Sequence, residues 1–296
     1  MRSFPLGVGI YADTRRREDP TVDYGKDKGG GMDADRELLI RFTAQLQQAG
    51  CVFAAEEAGL ILRGGATVND AESMLRRRLT GEPLEYVLGW AAFMGRRVRV
   101  MPGVFIPRPR TEFLAVAALE SARGRAAPVI LDLCCGAGAL SSVFAADLPD
   151  AELYAADLAP EAVAAARMNL GTRVPVYQSD LFTALPRHLH GRIDIIVANA
   201  PYVPTEQLPF LPREARLHEP AAALDGGRQG LEVLRRIAAQ APVWLGKDGQ
   251  LLVECSAGQA PVLAADVSAA GFQPLIRTDP DTATAVVSGT LAQRIV

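Results

Sequence analysis

Long hydrophobic runs are missing from this chain of 296 residues, and so is the apolar core that opens a signal peptide; both absences argue against a membrane-spanning or secreted protein. Cysteine is scarce. Of Cys51, Cys134, Cys135 and Cys255, only two are adjacent, a vicinal pair makes a poor disulfide, and no second pair has zinc spacing. No metal is expected, and a reducing cytoplasm is the expected setting. Net charge is small, −3, so there is no global case for nucleic-acid or membrane binding. Internal repeats are absent too. What is present is the balance of an ordinary globular protein, 49% hydrophobic and 22% charged, long enough for one large domain or two smaller ones.

Residues 1–31 differ from the rest, with a charge cluster (Arg15-Arg16-Arg17-Glu18-Asp19) and the Gly29-Gly30-Gly31 run just before Met32. They are expected to be a flexible leader or to lie ahead of an internal start. Residues 32–80 carry helical patterns. Leu38, Leu39, Phe42 and Leu46 share one face up to Gly50, a second helix covers Ala54 to Leu62, and a third starts at Thr67-x-x-Asp70, a capping-box pattern, and ends near Leu79. Such a bundle is expected to support or dock rather than catalyse. Residues 81–107 change period. Tyr86–Arg97 and Val98–Ile106 predict a hairpin linker, closed by Pro107 and Pro109, which forbid regular structure. Its arginines (Arg96, Arg97, Arg99, Arg108, Arg110) make either a solvated face or a contact for RNA or an acidic partner.

From residue 108 onward a larger domain is expected. Strands at Val129–Leu133, Glu152–Ala156, Val174–Gln178, Ile193–Ala198 and Leu251–Glu254 alternate with helices at Ala137–Ala146, Pro160–Asn169, Leu231–Ala239 and Gln259–Ala270. This predicts an α/β fold with a mostly parallel sheet covered on both faces. Two further strands, Pro274–Thr278 and Ala283–Ser288, flank Asp279-Pro280-Asp281 and should close the seven-stranded sheet as an antiparallel hairpin.

Ligands in open α/β sheets bind at the carboxyl ends of the strands. Four candidate pieces fall there. Asp132-Leu133-Cys134-Cys135-Gly136-Ala137-Gly138 follows the first strand, with glycines that let a ligand approach the backbone. Asp157 ends the second strand, nineteen residues past Gly138, where a carboxylate can accept both hydroxyls of a ribose. Asp180, Leu181 and Phe182 follow the third strand and offer an acceptor and apolar surface to an adenine. The fourth strand runs into Asn199-Ala200-Pro201-Tyr202: an amide, a backbone carbonyl, a fixed turn and an aromatic. Each piece alone is weak, since glycine turns also serve tight packing and aspartates cap helices. Together they favour a nucleoside cofactor beside a group that holds a planar nitrogen. A dinucleotide is disfavoured, because Ser141 occupies the third glycine position.

At these residues the chain resembles the protein-glutamine methyltransferases, the HemK/PrmC family, over about residues 33–296. Besides the cofactor loop and the Asn199 turn, Gly81-x-Pro83, Tyr86, Gly89, Phe93 and Ile106-Pro107-Arg108-Pro109-x-Thr111-Glu112 match its linker signature. His218-Glu219-Pro220, Leu224-Asp225-Gly226-Gly227, Gly230-Leu231, Glu254 and Gln259 match further on. The resemblance implies a helical bundle, a hairpin linker and a Rossmann-like methyltransferase domain using S-adenosyl-L-methionine. It implies methylation of the glutamine of the GGQ motif in peptide chain release factors; a monomer is expected. It assigns cofactor contacts to Asp132, Cys134–Gly138, Asp157, Asp180–Phe182 and Asn199, and substrate contacts to Asn199, Ala200, Pro201 and Tyr202. Two positions depart from the family: Ala200 replaces the first proline of Asn-Pro-Pro-Tyr, and Cys134 replaces the first loop glycine. His218 is expected to be structural. Two other readings are an N-methyltransferase of exocyclic amino groups in DNA or RNA, favoured only by the basic linker, and a cofactor-binding scaffold without turnover.

Overall fold

The computed structural model describes residues 31–291, so the expected leader lies almost wholly outside the described residues. The chain divides after Trp90 into two compact units.

The first unit holds α1 (Gly31–Gln48), α2 (Ala54–Gly64), α3 (Val68–Leu79) and a short α4 (Leu84–Leu88). Phe42 and Leu46 of α1 are buried with Ala58, Ile61, Leu75 and Leu84, and Leu38 packs on them. Leu39, expected on that face, points outward at 37% exposure, because it sits one residue beyond the width of the apolar stripe. The capping box forms: Thr67 Oγ1 accepts from the Asp70 N–H, and the Asp70 carboxylate accepts from the Thr67 N–H. α4 was not expected; Tyr86, assigned to a strand, is helical and buried. The expected hairpin is therefore shorter, β1 (Trp90–Phe93) and β2 (Arg96–Arg99), turning at Met94-Gly95, both with positive φ. No strand forms over 100–106, whereas a 3-10 turn at Pro109–Thr111 leads into α5 (Glu112–Ala122).

The second unit is built on β3 (Val129–Leu133), β4 (Glu152–Asp157), β5 (Val176–Gln178), β6 (Ile193–Ala198), β7 (Leu245–Ser256), β8 (Phe272–Asp279) and β9 (Thr284–Leu291). Their order is β5-β4-β3-β6-β7-β9-β8; the first five are parallel, and β9 runs antiparallel to both neighbours. Between these lie α6 (Ala139–Asp147), α7 (Pro160–Leu170), α8 (Arg213–His218), α9 (Glu232–Trp244) and α10 (Ala260–Ala269). β3 and β6 are apolar along nearly their whole length because both sheet faces are covered. The chain runs β3-β4-β5 to one side, then crosses to place β6 on the other, so the topological switch lies between β3 and β6. No helix among the described residues is long and apolar enough to cross a membrane.

Candidate active site at the carboxyl edge of the sheet

Register brings the pieces to one edge. Leu133 pairs with Ala156 and with Ala198, and Asp157 pairs with Gln178. The loop after β3, Asp157, the segment after β5 and the turn after β6 therefore leave neighbouring strands side by side.

Asp132 is buried near the end of β3. Its Oδ2 accepts from the Ser141 N–H at 3.1 Å and the Ser141 hydroxyl at 2.7 Å. The residue that broke the dinucleotide pattern thus ties the first turn of α6 to the strand. Asp132 Oδ1 is buried without a hydrogen-bond partner. Burial pushes the Asp132 carboxyl up to about 7, against the opposing pull of Ser141. Cys134 adopts a left-handed φ of 57°. The family's glycine at this place thereby acquires a physical reason, and Cys134 holds the same backbone at a cost of roughly 1–2 kcal/mol. Its thiol is pushed upward by burial and by Asp157, Asp132 and Asp180, so it stays protonated. Cys135 and Ala137 are buried; all four cysteines are free. A Cβ on Gly136 would meet nothing within 4 Å, so the loop has open space there, while Gly138 packs against Leu170 and Ala166.

Asp157 Oδ2 accepts from the Gly136 N–H at 2.8 Å, and Oδ1 from the Ala159 N–H at 2.9 Å. Each oxygen keeps a second lone pair. Asp180 is exposed, and Arg236 Nη2 donates to both of its oxygens. Leu181 is buried at a left-handed φ of 51°. Phe182 offers no open ring face: it is 2% exposed and stacks on Trp244 at 5.4 Å.

Asn199 leaves β6 with its Nδ2 donating to the Thr111 hydroxyl at 3.0 Å. Ala200 is buried, and Tyr202 donates its hydroxyl to Glu254 Oε1 at 3.0 Å with the Arg110 guanidinium 5.7 Å over its ring. Among the described residues, no protein donor reaches Asn199 Oδ1 or the Ala200 carbonyl. Two adjacent acceptors at the end of β6 are thus left without a protein donor. Beneath the turn lies a glycine floor. A Cβ on Gly226 would come 2.6 Å from the Gly230 carbonyl oxygen and 2.7 Å from that of Pro201. Gly226 N donates to the Val203 carbonyl, and Gln259 Nε2 to that of Tyr202.

Sequence reasoning gave no site role to Thr111, Glu219 or Glu254, and read Arg110 only as part of a basic linker face. The signal was the linker signature itself. Arg108 pairs with Glu219, the Ile106 N–H donates to Glu219, the Met94 N–H donates to Glu112, and Arg110 Nε lies 3.7 Å from Glu254. Arg108 and Arg110 are thereby paired within the chain, as is Arg96, with Asp147. His218 ends α8 and enters none of these contacts.

A family model described as a methyltransferase domain matches residues 130–220. A release factor glutamine methyltransferase from Geobacter sulfurreducens is 39% identical over 220 residues, covering 73% of this chain and 76% of its own. A 4-amino-L-phenylalanine/4-methylamino-L-phenylalanine methyltransferase from Streptomyces pristinaespiralis is 40% identical over 186 residues, 61% of this chain and 63% of its own. Among solved structures, a methyltransferase from Pyrococcus furiosus has a similar fold, with a TM-score of 0.50 at 14% identity over 67% of this chain and 89% of its own.

Proposed function

The chain belongs to the family of release factor glutamine methyltransferases, and from that membership we infer that it methylates the side-chain amide nitrogen of a release-factor glutamine, using S-adenosyl-L-methionine, in the cytoplasm. The residues present fit that cofactor. The buried Asp132 Oδ1 lacks a partner and suits a cationic group. The free lone pairs on Asp157 suit a ribose diol. When bound, S-adenosyl-L-methionine supplies an electrophilic methyl group on a sulfonium sulfur.

The observation that carries the reading is the pair of acceptors left without a protein donor, Asn199 Oδ1 and the Ala200 carbonyl. An amide nitrogen is a poor nucleophile because its lone pair is delocalised. Neither oxygen is a strong enough base to deprotonate it. They can instead accept one N–H each and fix the direction in which the nitrogen faces. Orientation of this kind lowers a barrier by roughly 7–11 kcal/mol at its ideal limit. Tyr202, held by Glu254 and Arg110, closes the turn against water. Its hydroxyl is raised above the usual range, chiefly by burial and then by Glu254, so it stays protonated. Ala200 keeps the carbonyl that the family's proline would supply.

Tritium transfer from labelled cofactor should reach release factor and spare DNA and ribosomal RNA. Transfer to nucleic acid alone would overturn the reading. N199A should abolish transfer while calorimetry shows cofactor affinity within about threefold of the parent; parallel loss of both would remove Asn199 from the acceptor site.

A further inference from the structure

We propose that Asn169 is a positioning residue that ties the hairpin linker to the cofactor loop, so that binding at the loop stiffens the linker; this rests on the S-adenosyl-L-methionine reading above. Asn169 stands in the last turn of α7, outside both the loop and the linker. Its Oδ1 accepts from the Arg99 N–H at 2.9 Å. Its Nδ2 donates to the Arg99 carbonyl at 2.9 Å and to the Ala137 carbonyl at 2.8 Å. A backbone N–H only donates and a carbonyl only accepts, so these three groups fix which end of the amide is which. The NH2 has two hydrogens, and it sends one to each segment.

At Arg99 the side chain engages both backbone groups of one residue, the pairing that a neighbouring antiparallel strand would give to the end of β2. At Ala137 it holds the carbonyl of a residue flanked by Gly136 and Gly138, whose φ values are 54° and 77°. Glycines on both sides leave that stretch free to turn, so an outside anchor matters there. The loop leads straight to the ribose candidate, since the Gly136 N–H donates to Asp157 Oδ2. Leu170, the next residue of α7, lies against Gly138, where a Cβ would come within 3.0 Å of it. In the other direction the linker runs on to Thr111, whose hydroxyl accepts from Asn199 Nδ2. The end of one helix thus gives the cofactor loop and the segment that reaches the acceptor turn a common reference. The hairpin has a second tie, Arg96 to Asp147, but it is an exposed ion pair in which the two side chains bond each other and not the loop.

Three variants of the full chain test this, with S-adenosyl-L-homocysteine as the probe. N169D keeps an acceptor for the Arg99 N–H but sets an oxygen against the two carbonyls; N169A removes all three bonds; D147N breaks the second tie alone. In the parent, saturating probe should slow hydrogen exchange of the Arg99 amide by at least about fivefold. N169D and N169A should weaken probe binding by about 5- to 20-fold in calorimetry and abolish the slowing at Arg99. Without probe, the Arg99 amide should exchange at least about tenfold faster in N169A than in the parent. D147N should bind the probe within about threefold of the parent and keep the slowing. Amides of β3 and β6 report the fold and should exchange within about threefold of the parent in every variant. The proposal is overturned by no slowing in the parent, by slowing retained in N169D, or by slowing lost in D147N. Unchanged affinity in both Asn169 variants, or acceleration in β3 equal to that at Arg99, overturns it as well. Both readouts precede methyl transfer, so a parent that shows them but methylates no release factor supports the coupling and overturns only the substrate reading. A parent that does not bind the probe overturns the cofactor reading, and the coupling with it.

Discussion

Asp132 and Cys134, two residues apart, place opposite kinds of stress at the cofactor loop. Asp132 is held neutral by burial up to about pH 7. Its folded-state value lies above that of an unfolded aspartate, so the native chain binds the extra proton between about pH 4 and pH 7 and loses stability as pH rises through that window. A cation beside Oδ1 favours the ionised form, so cofactor affinity should rise as Asp132 ionises. Calorimetry from pH 6 to pH 8 should show Kd falling by roughly three- to tenfold, and D132N should flatten the profile and bind more weakly throughout. Cys134 holds a left-handed backbone with a side chain attached. C134G should be more stable than C134A by about 1 kcal/mol in urea titration, since only glycine relieves the strain. The sequence pattern showed that a glycine was missing there; it could not show that the backbone had kept the glycine's conformation. The placement of Asp157 and Asn199 at the sheet edge was legible because a strand end is a fixed address in a parallel sheet. Thr111 and Glu254 were not, because their roles depend on contacts across 88 residues, Thr111 with Asn199, and 52 residues, Glu254 with Tyr202.

Elements differ in how clearly they announce themselves. β3 and β6 are found where the pattern placed them, since a strand buried on both faces is an unbroken apolar run. β7 extends back to Leu245, beyond the expected Leu251, through Gly246, Asp248 at φ 59° and Gly249, residues that read as a turn and here make an irregular strand start. α4 spans five residues, too few for a helical period to emerge. α5 was hidden by Pro107 and Pro109. Proline at the start of a helical segment is tolerated because its missing N–H would have had no helical partner, and Pro109 opens the turn that runs into α5. The segment from Leu224 to Gly230 works as the floor of the Asn199 turn. Ala at Gly230 would put a carbon into the Tyr202 carbonyl at a φ of 72°, whereas Gly103, with a comparable φ, has nothing within 4 Å. Thermal denaturation should therefore show G230A losing more than about 2 kcal/mol and G103A about 1. Turnover should fall only in G230A.

At the scale of the whole molecule, the two units hold their cores separately. The bundle buries Phe42, Leu46, Ile61, Leu75, Leu84 and three alanines, with the Arg78–Glu57 ion pair among them. The sheet unit buries a far larger cluster, from Val129 to Val287. Native-state hydrogen exchange should find amides of α1, α2 and α3 opening at lower free energy than those of β3, β6 and β7, because local stability follows buried apolar contact. Equal opening energies across both units would mean that the chain unfolds as one body. The sequence changes period near residue 81, whereas the chain divides after Trp90. The break after Trp90 was not legible, since α4 continues the bundle in a stretch whose glycines and aromatics resemble a strand.

The pair of oxygens at Asn199 and Ala200 has a consequence for when the enzyme stops. A primary carboxamide brings two N–H groups and satisfies both. Once it carries a methyl group it has one left, so either Asn199 Oδ1 or the Ala200 carbonyl goes without a donor. On the role proposed for this pair, the arrangement would hold the unmodified side chain better than the monomethylated product and disfavour a second round.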